Sequence, residues 1–243
     1  MKNLIIDAGN SRVKVFVFEG DRVLDSFVSE ENDFEKKNNI FLEKHQISKV
    51  IVSSVGGFTQ KIADFLVAYP SVLWLTNKTR VPFVNKYKTP ATLGVDRIAL
   101  VSAASFLYPN KNVLVIDSGT CITFDFLSER NNYLGGSISL GLMMRFKALN
   151  NYTENLPLLT QDNFDDIIGV DTNTSIGSGV VQGVISEIDG VISEYKSRFP
   201  DLTVVLTGGD TYYLSKRLKN SIFANPNFLA EGLNSILIHN TRE

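Results

Sequence analysis

Residues 4–24, LIIDAGNSRVKVFVFEGDRVL, and residues 114–134, LVIDSGTCITFDFLSERNNYL, decide the fold between them. Set side by side without gaps at an offset of 110 positions, they share Leu, Ile, Asp, Gly, Phe, Glu and Leu at matching places. A period this long points to a duplicated domain of about a hundred residues rather than a solenoid. Each copy opens with a short apolar run that ends in Asp-x-Gly, at Asp7 and at Asp117. In the first copy the apolar residues alternate through Val13, Val15 and Val17, and Glu19-Gly20-Asp21 supplies turn chemistry. That pattern predicts a meander with strands near 3–7, 12–18 and 22–28.

Outward from the first copy, Phe34 to His45 is polar with spaced apolar residues and predicts a helix. The run VIVSSV at 50–55 reads as a buried parallel strand. Gln60 to Ala68 predicts a second helix, Val72 to Leu75 a strand, and Val81 to Ala91, with two prolines and two lysines, a surface loop. From Gly94 the pattern is helical through Ile98, Val101 and Ala104 until Pro109 stops it. The second copy runs in the same way from meander through helices to a short buried strand, VVLTGG at 204–209. Two copies of a sheet followed by helices make an α/β protein of two lobes, 1–112 and 113–243, with a cleft between them.

The bulk chemistry excludes several classes of function. With 44% hydrophobic residues the chain buries a substantial core without staples. A formal charge of −2 and a pI near 5.8 give no long-range attraction for nucleic acid or an anionic membrane. Cys121 is the sole cysteine, which rules out an internal disulfide and a cysteine-based zinc site and suits a reducing cytosol. The run Leu4-Ile5-Ile6 is too short for a signal peptide. The apolar stretch from Ile98 to Tyr108, broken by Ser102 and Ser105, falls short of the roughly 20 residues of a membrane span.

Asp7, Gly9, Asn10, Ser11 and Lys14 form the first chemical constellation. A strand ending in Asp-x-Gly can aim backbone N–H groups at phosphate oxygens, because glycine permits close approach. The Asp7 carboxylate would hold Mg²⁺ rather than phosphate, and Lys14 would add positive charge. The plain alternative is a hairpin turn without function. Repetition weighs against it: Asp117, Gly119, Thr120 and Thr123 set the same kind of turn in the second copy.

Gly94-Val95-Asp96-Arg97 opens the predicted helix, and two readings stand there. Asp96 is either a helix cap or a base for a substrate hydroxyl, and Arg97 either a surface ion pair or a clamp on a substrate carboxylate. Gly135-Gly136-Ser137-Ile138-Ser139-Leu140-Gly141 reads as turn residues for a close backbone approach or as a helix-entry loop. Thr207-Gly208-Gly209-Asp210 ends a strand, where nucleotide bases or riboses are often held, or is a tight strand-to-helix turn. His45 and His239 are expected at the surface, Trp74 in the core and Asp125 on a solvated strand face. Asp162, Asp165 and Asp166 are expected in a solvated loop and helix start.

Taken in order, DxGN[ST]xxK, GxDR, DxGTxxT, GGxIxxG and TGG resemble type III pantothenate kinase, of the acetate and sugar kinase, Hsp70 and actin superfamily. The match runs from Asp7 to Asn234. The resemblance implies duplicated ribonuclease H-like lobes of the actin-like ATPase kind and ATP-dependent phosphorylation of pantothenate, the first step toward coenzyme A. It implies ATP contacts at Asp7, Ala8, Gly9, Asn10, Ser11, Arg12, Val13, Lys14 and Thr120, with Mg²⁺. Asp96 becomes the proton acceptor, and Tyr87, Gly94, Val95, Asp96, Arg97 and Thr172 the pantothenate contacts. Asp117 becomes the ligand of a monovalent cation, K⁺ or NH₄⁺. Family members are cytoplasmic homodimers with the pantothenate pocket at the subunit interface, which implies that Thr172 acts across it.

The chain departs from the family pattern twice. Leu140 stands where proline is usual, and Asp171 precedes Thr172 where asparagine is usual, which leaves Thr174 as an alternative to Thr172. Two other functions fit the same motifs: a superfamily kinase acting on a sugar or an acetate-like acid, and a nucleotide-binding regulator with little catalysis.

Overall fold

β1 (Lys2–Ala8) is buried on both faces through Leu4, Ile5 and Ile6, and the first sheet is built around it. The computed structural model describes residues 2–9, 12–30, 34, 41, 43–54, 59–67, 69, 71–162 and 164–241. β2 (Val13–Glu19) and β3 (Arg22–Ser29) complete an antiparallel meander on one side of β1. β4 (Ile47–Ser54) and β5 (Val72–Trp74) join in parallel on the other side, giving the order β3-β2-β1-β4-β5. The predicted helix over Phe34–His45 lies largely outside the described residues. Asn10 and Ser11 lie outside them too.

The predicted loop 81–91 contains a two-residue strand, β6 (Val84–Asn85), and a 3-10 turn at Pro90–Thr92. The second sheet repeats the first plan. β7 (Val113–Ser118), β8 (Cys121–Leu127) and β9 (Asn132–Leu140) form the meander. β10 (Thr203–Thr207) lies parallel to β7 and β11 (Phe223–Ala224) parallel to β10, so the order is β9-β8-β7-β10-β11, with β6 pairing in parallel at Asn132 and Tyr133. The glycine-rich stretch before Gly141 is thus strand rather than turn: glycine weakens a strand, but a neighbouring strand still supplies the ladder.

The helices, in order, are α1 (Thr59–Leu66), α2 (Val95–Leu107), α3 (Leu142–Asn151), α4 (Thr172–Arg198), α5 (Thr211–Ser215) and α6 (Phe228–Thr241). None among the described residues is long and apolar enough to cross a membrane. The chain divides into two compact units: Met1–Pro109 with Asn131–Tyr133 and Asn227–Glu243, and Asn110–Arg130 with Leu134–Pro226. The C-terminal α6 therefore packs in the first unit, against α2, β1 and β4. The acidic run at 162–166 stays in a loop, and the next helix begins only at Thr172.

In the first unit, Leu4, Ile6 and Ala8 share one sheet face with Val13, Val15 and Val17 and with Val50 and Val52. Phe34, Phe41, Ile62 and Leu66 close that core, and Trp74 packs partly buried against it. The opposite face carries Asn3, Ile5 and Asp7 and lies against α2 and α6. There Asn3 Nδ2 donates to Asn234 Oδ1 at 2.8 Å. His45 is half-buried rather than at the surface, its side chain 12% exposed, with Nε2 3.3 Å from Asp25 Oδ2 and its ring against Phe41.

In the second unit, Leu114, Ile116, Ile122, Phe124, Val204 and Leu206 face the core against α4. The repeat is gapless up to the turn and then slips. Ala8 pairs with Val13 across four intervening residues, whereas Ser118 pairs with Ile122 across three. Beyond the turn the structural offset is therefore 109 positions, not 110, and the counterpart of Lys14 is Thr123 rather than Phe124. Asp125 lies on the opposite face from Phe124, the Asp117 face, as its alternation predicts, but that face is covered, and Asp125 is fully buried instead of solvated.

Candidate active site

Asp7 stands near the carboxyl end of β1, where open α/β sheets bind their ligands. The register sets Lys14 of β2 on one side of it and Ser53 of β4 on the other, and residues directly opposite share a face. The turn is closed by the Gly9 N–H donating to Arg12 O at 3.0 Å. The Asp7 carboxyl is pushed up to about 6, first by burial, with Lys14 pulling it down and the negative charge of Asp96 adding to the rise. Two carboxylates and one lysine thus share this region, which is short of positive charge. A Mg²⁺ ion fits that deficit: it takes oxygen donors and is usually held by one or two carboxylates plus substrate phosphates.

Asp96 occupies the first turn of α2, capped by Gly94. A side chain at Gly94 would collide with Asp96 Oδ1, so the glycine leaves room for the carboxylate to fold back over the helix start. There Oδ1 accepts the Arg97 N–H at 2.8 Å. The cap is thus Gly94 and not Asp96, and the bond to Arg97 uses one carboxylate oxygen, which leaves the other for the base reading. Arg97 is buried, not a surface residue, and its guanidinium lies 5.7 Å from the Tyr87 ring centroid. Tyr87 in turn stacks on buried Tyr133 at 6.0 Å. The predicted substrate residues Tyr87, Gly94, Val95, Asp96 and Arg97 therefore form one connected group.

The second turn has the same skeleton with other side chains. Asp117 is flanked on its face by Thr123 of β8 and Thr207 of β10. The Gly119 N–H donates to Cys121 O at 2.9 Å, and the Gly141 N–H braces the turn by donating to Thr120 O at 3.2 Å. Gly208 has φ +96°, and a side chain on it would strike Asp117 Oδ1. The TGG glycine thus makes space for a carboxylate. Thr123 Oγ1 is buried and has no hydrogen-bond partner among the described residues. A carboxylate beside an unpartnered hydroxyl suits a cation that takes oxygen donors. Ser118 Oγ donates to Asp210 Oδ2 at 3.2 Å, and burial pushes the Asp210 carboxyl up against that bond.

Thr172 and Thr174 separate at the start of α4. Asp171 is the cap, and its carboxylate accepts the Thr174 N–H at 2.8 Å. Thr174 Oγ1 answers by accepting the N–H groups of Val170 and Asp171 at 3.0 Å. These bonds hold the Asp171 carboxyl below the usual range, chiefly through the Thr174 N–H. Thr174 is thereby committed to the cap, while Thr172 is exposed on the wall of an open, largely apolar groove of about 790 Å³. Leu140, Leu149, Leu156 and Ile176 also line it.

Ser53 is the residue that sequence reasoning passed over. Its signal was faint: two serines closing the otherwise apolar run VIVSSV. Nothing local says that this strand lies beside β1.

Residues 3–194 match the family described as type III pantothenate kinase. The chain is 49% identical over 231 residues to the type III pantothenate kinase of Flavobacterium johnsoniae, covering 95% of each chain. It is 41% identical over 239 residues to that of Bacteroides fragilis, covering 98% of each. Among solved structures it resembles a putative Baf family transcriptional activator from Campylobacter jejuni, with TM-score 0.64, 21% identity and 98% of each chain covered. It also resembles a glucokinase from an Antarctic psychrotroph, with TM-score 0.54, 10% identity and 99% of each chain covered. The fold is the duplicated ribonuclease H-like, actin-like ATPase fold.

Proposed function

The chain belongs to the type III pantothenate kinase family, and from that premise we propose how its residues divide the work of phosphorylating pantothenate with ATP, the first step of coenzyme A biosynthesis. The observation that carries the reading is that the charge of Asp96 reaches the Asp7 carboxyl and helps to raise it, which supports a phosphate turn and a candidate base sharing one site. Phosphoryl transfer needs positioning and charge neutralisation more than covalent help. Asp7 through Lys14 and Thr120 bind ATP, with the Asp7 carboxylate toward Mg²⁺ and the Lys14 ammonium toward the phosphates. Mg²⁺ neutralises phosphate charge when bound.

Asp96 accepts the proton of the pantothenate hydroxyl as that oxygen attacks the γ-phosphorus in line. Arg97, steadied by Tyr87, holds the pantothenate carboxylate, and Gly94 and Val95 line the same pocket. Asp117 holds a monovalent cation, K⁺ or NH₄⁺. Thr172, rather than Thr174, contacts pantothenate, because the Thr174 hydroxyl is committed to the helix cap.

The reading includes a homodimer in the cytosol. Exposed Ile167, Ile168 and Val170 beside the α4 start support it, being apolar surface that a second copy would cover. The deciding experiment is a coupled assay of pantothenate phosphorylation with and without potassium. Turnover with potassium stimulation is the expected result. ATP binding without transfer to pantothenate would favour the regulator reading, and transfer to a sugar in its place would favour the other kinase.

A further inference from the structure

Ser53 is 1% exposed, and its hydroxyl has no hydrogen-bond partner among the described residues. A buried hydroxyl sealed from water and left unpaired is costly, so its place in the sheet calls for an acceptor within reach. The register names the acceptor. Ser53 is the β4 partner of Asp7, on the same sheet face and one strand away, about 4.8 Å across the sheet. The second sheet keeps a hydroxyl at the same topological point, Thr207 of β10 beside Asp117. In both strands the hydroxyl follows an apolar run, Val50-Ile51-Val52 and Val204-Val205-Leu206.

We propose that Ser53 is a positioning residue for the nucleotide site, donating its hydroxyl hydrogen bond to the Asp7 carboxylate when that carboxylate turns to the metal ion of bound nucleotide. The inference rests on the assignment of Asp7 to that metal ion. Lys14 holds the carboxylate from the β2 side and Ser53 from the β4 side, so that its rotamer is fixed by two neighbours. The charged lysine favours its ionised form; the neutral serine sets its direction.

The test is nucleotide binding, not turnover. ADP binding is measured by calorimetry across a range of Mg²⁺ concentrations for the wild type and for Ser53→Ala, Ser53→Cys and Ser53→Thr, with the pantothenate KM measured alongside. Alanine and cysteine, which remove or weaken the donor, are expected to raise the Mg²⁺ concentration for half-saturation about tenfold, the effect of losing one hydrogen bond to a charged group. The pantothenate KM stays unchanged, and threonine, which keeps the donor, stays near the wild type. If threonine does not fit the buried site and unfolds by circular dichroism, the alanine and cysteine pair decides alone. Variants whose Mg²⁺ dependence superimposes on the wild type overturn the proposal. So does an equal loss of Mg²⁺-dependent and Mg²⁺-free binding, which marks a purely structural role. A wild type that binds ADP without any Mg²⁺ dependence overturns the assignment of Asp7 itself.

Discussion

Across its hairpin Asp7 is paired with Lys14, whereas Asp117 is paired with Thr123. The two strands before these turns are near copies, and the sheets around them share one strand order. The turns themselves differ by one residue in length. In a strand, a slip of one position exchanges the two faces. The shorter second turn therefore sends Phe124 into the core and brings Thr123 and Asp125 onto the face of Asp117. One carboxylate keeps a lysine opposite it, and the other has hydroxyls on both sides. On the proposed assignment the first turn serves phosphate and its metal and the second a bare cation, a division that accompanies a one-residue difference in loop length.

The largest expected effect tests whether the first turn alone is tied to the chemistry. Asp96→Asn removes the base next to Asp7 and lowers kcat by about a thousandfold, while ADP binding and the circular dichroism spectrum remain those of the wild type. An unchanged kcat would remove Asp96 from the mechanism and with it the asymmetry of the turns. Next, Lys14→Thr gives the first turn the chemistry of the second. The expected loss is about a hundredfold in kcat/KM for ATP, with potassium stimulation retained. Asp117→Asn does the converse: the potassium-free rate persists and stimulation by potassium disappears.

A smaller effect comes from the strain on Asp7. Its folded pKa, about 6, is raised above the ordinary 3.8, so its favourable contribution is complete below pH 3.8 and is lost as pH rises through 6. Asp7→Asn is therefore expected to stabilise the ligand-free protein by up to about 2 kcal/mol at pH 7.5. The gain should shrink to nothing near pH 3.5, as read from denaturant midpoints across that range. In the active enzyme the same group gives ATP binding an acidic limb near pH 6. The smallest effect lies outside both turns and serves as their control. Thr174→Val breaks the α4 capping box and costs about 1 kcal/mol with kcat unchanged. Thr172→Val instead raises the pantothenate KM and leaves the melting temperature in place.

Much of this protein was legible in the chain. Alternation through Val13, Val15 and Val17 and the buried run Leu4-Ile5-Ile6 placed the first meander within a residue or so of β1, β2 and β3. Gly94 and Pro109 bracketed α2, and the ordered motifs pointed to the family to which the chain belongs. These are local signals: side-chain period, glycine and proline backbone limits, and fixed spacings within one segment. What the tertiary structure decided involves residues far apart or a hydrogen-bond choice between equals. Ser53 and Thr207 became neighbours of Asp7 and Asp117 only through parallel strand pairing, which leaves no mark in the sequence between them. The burial of Asp125 followed from packing over a strand face that alternation alone marks only as the one opposite Phe124 and Phe126. Thr174 and Thr172 are the same residue type two places apart, and only the geometry of the α4 cap tells which hydroxyl is already engaged. The chain thus sets which face each strand segment can offer, while packing against distant segments sets what that face meets.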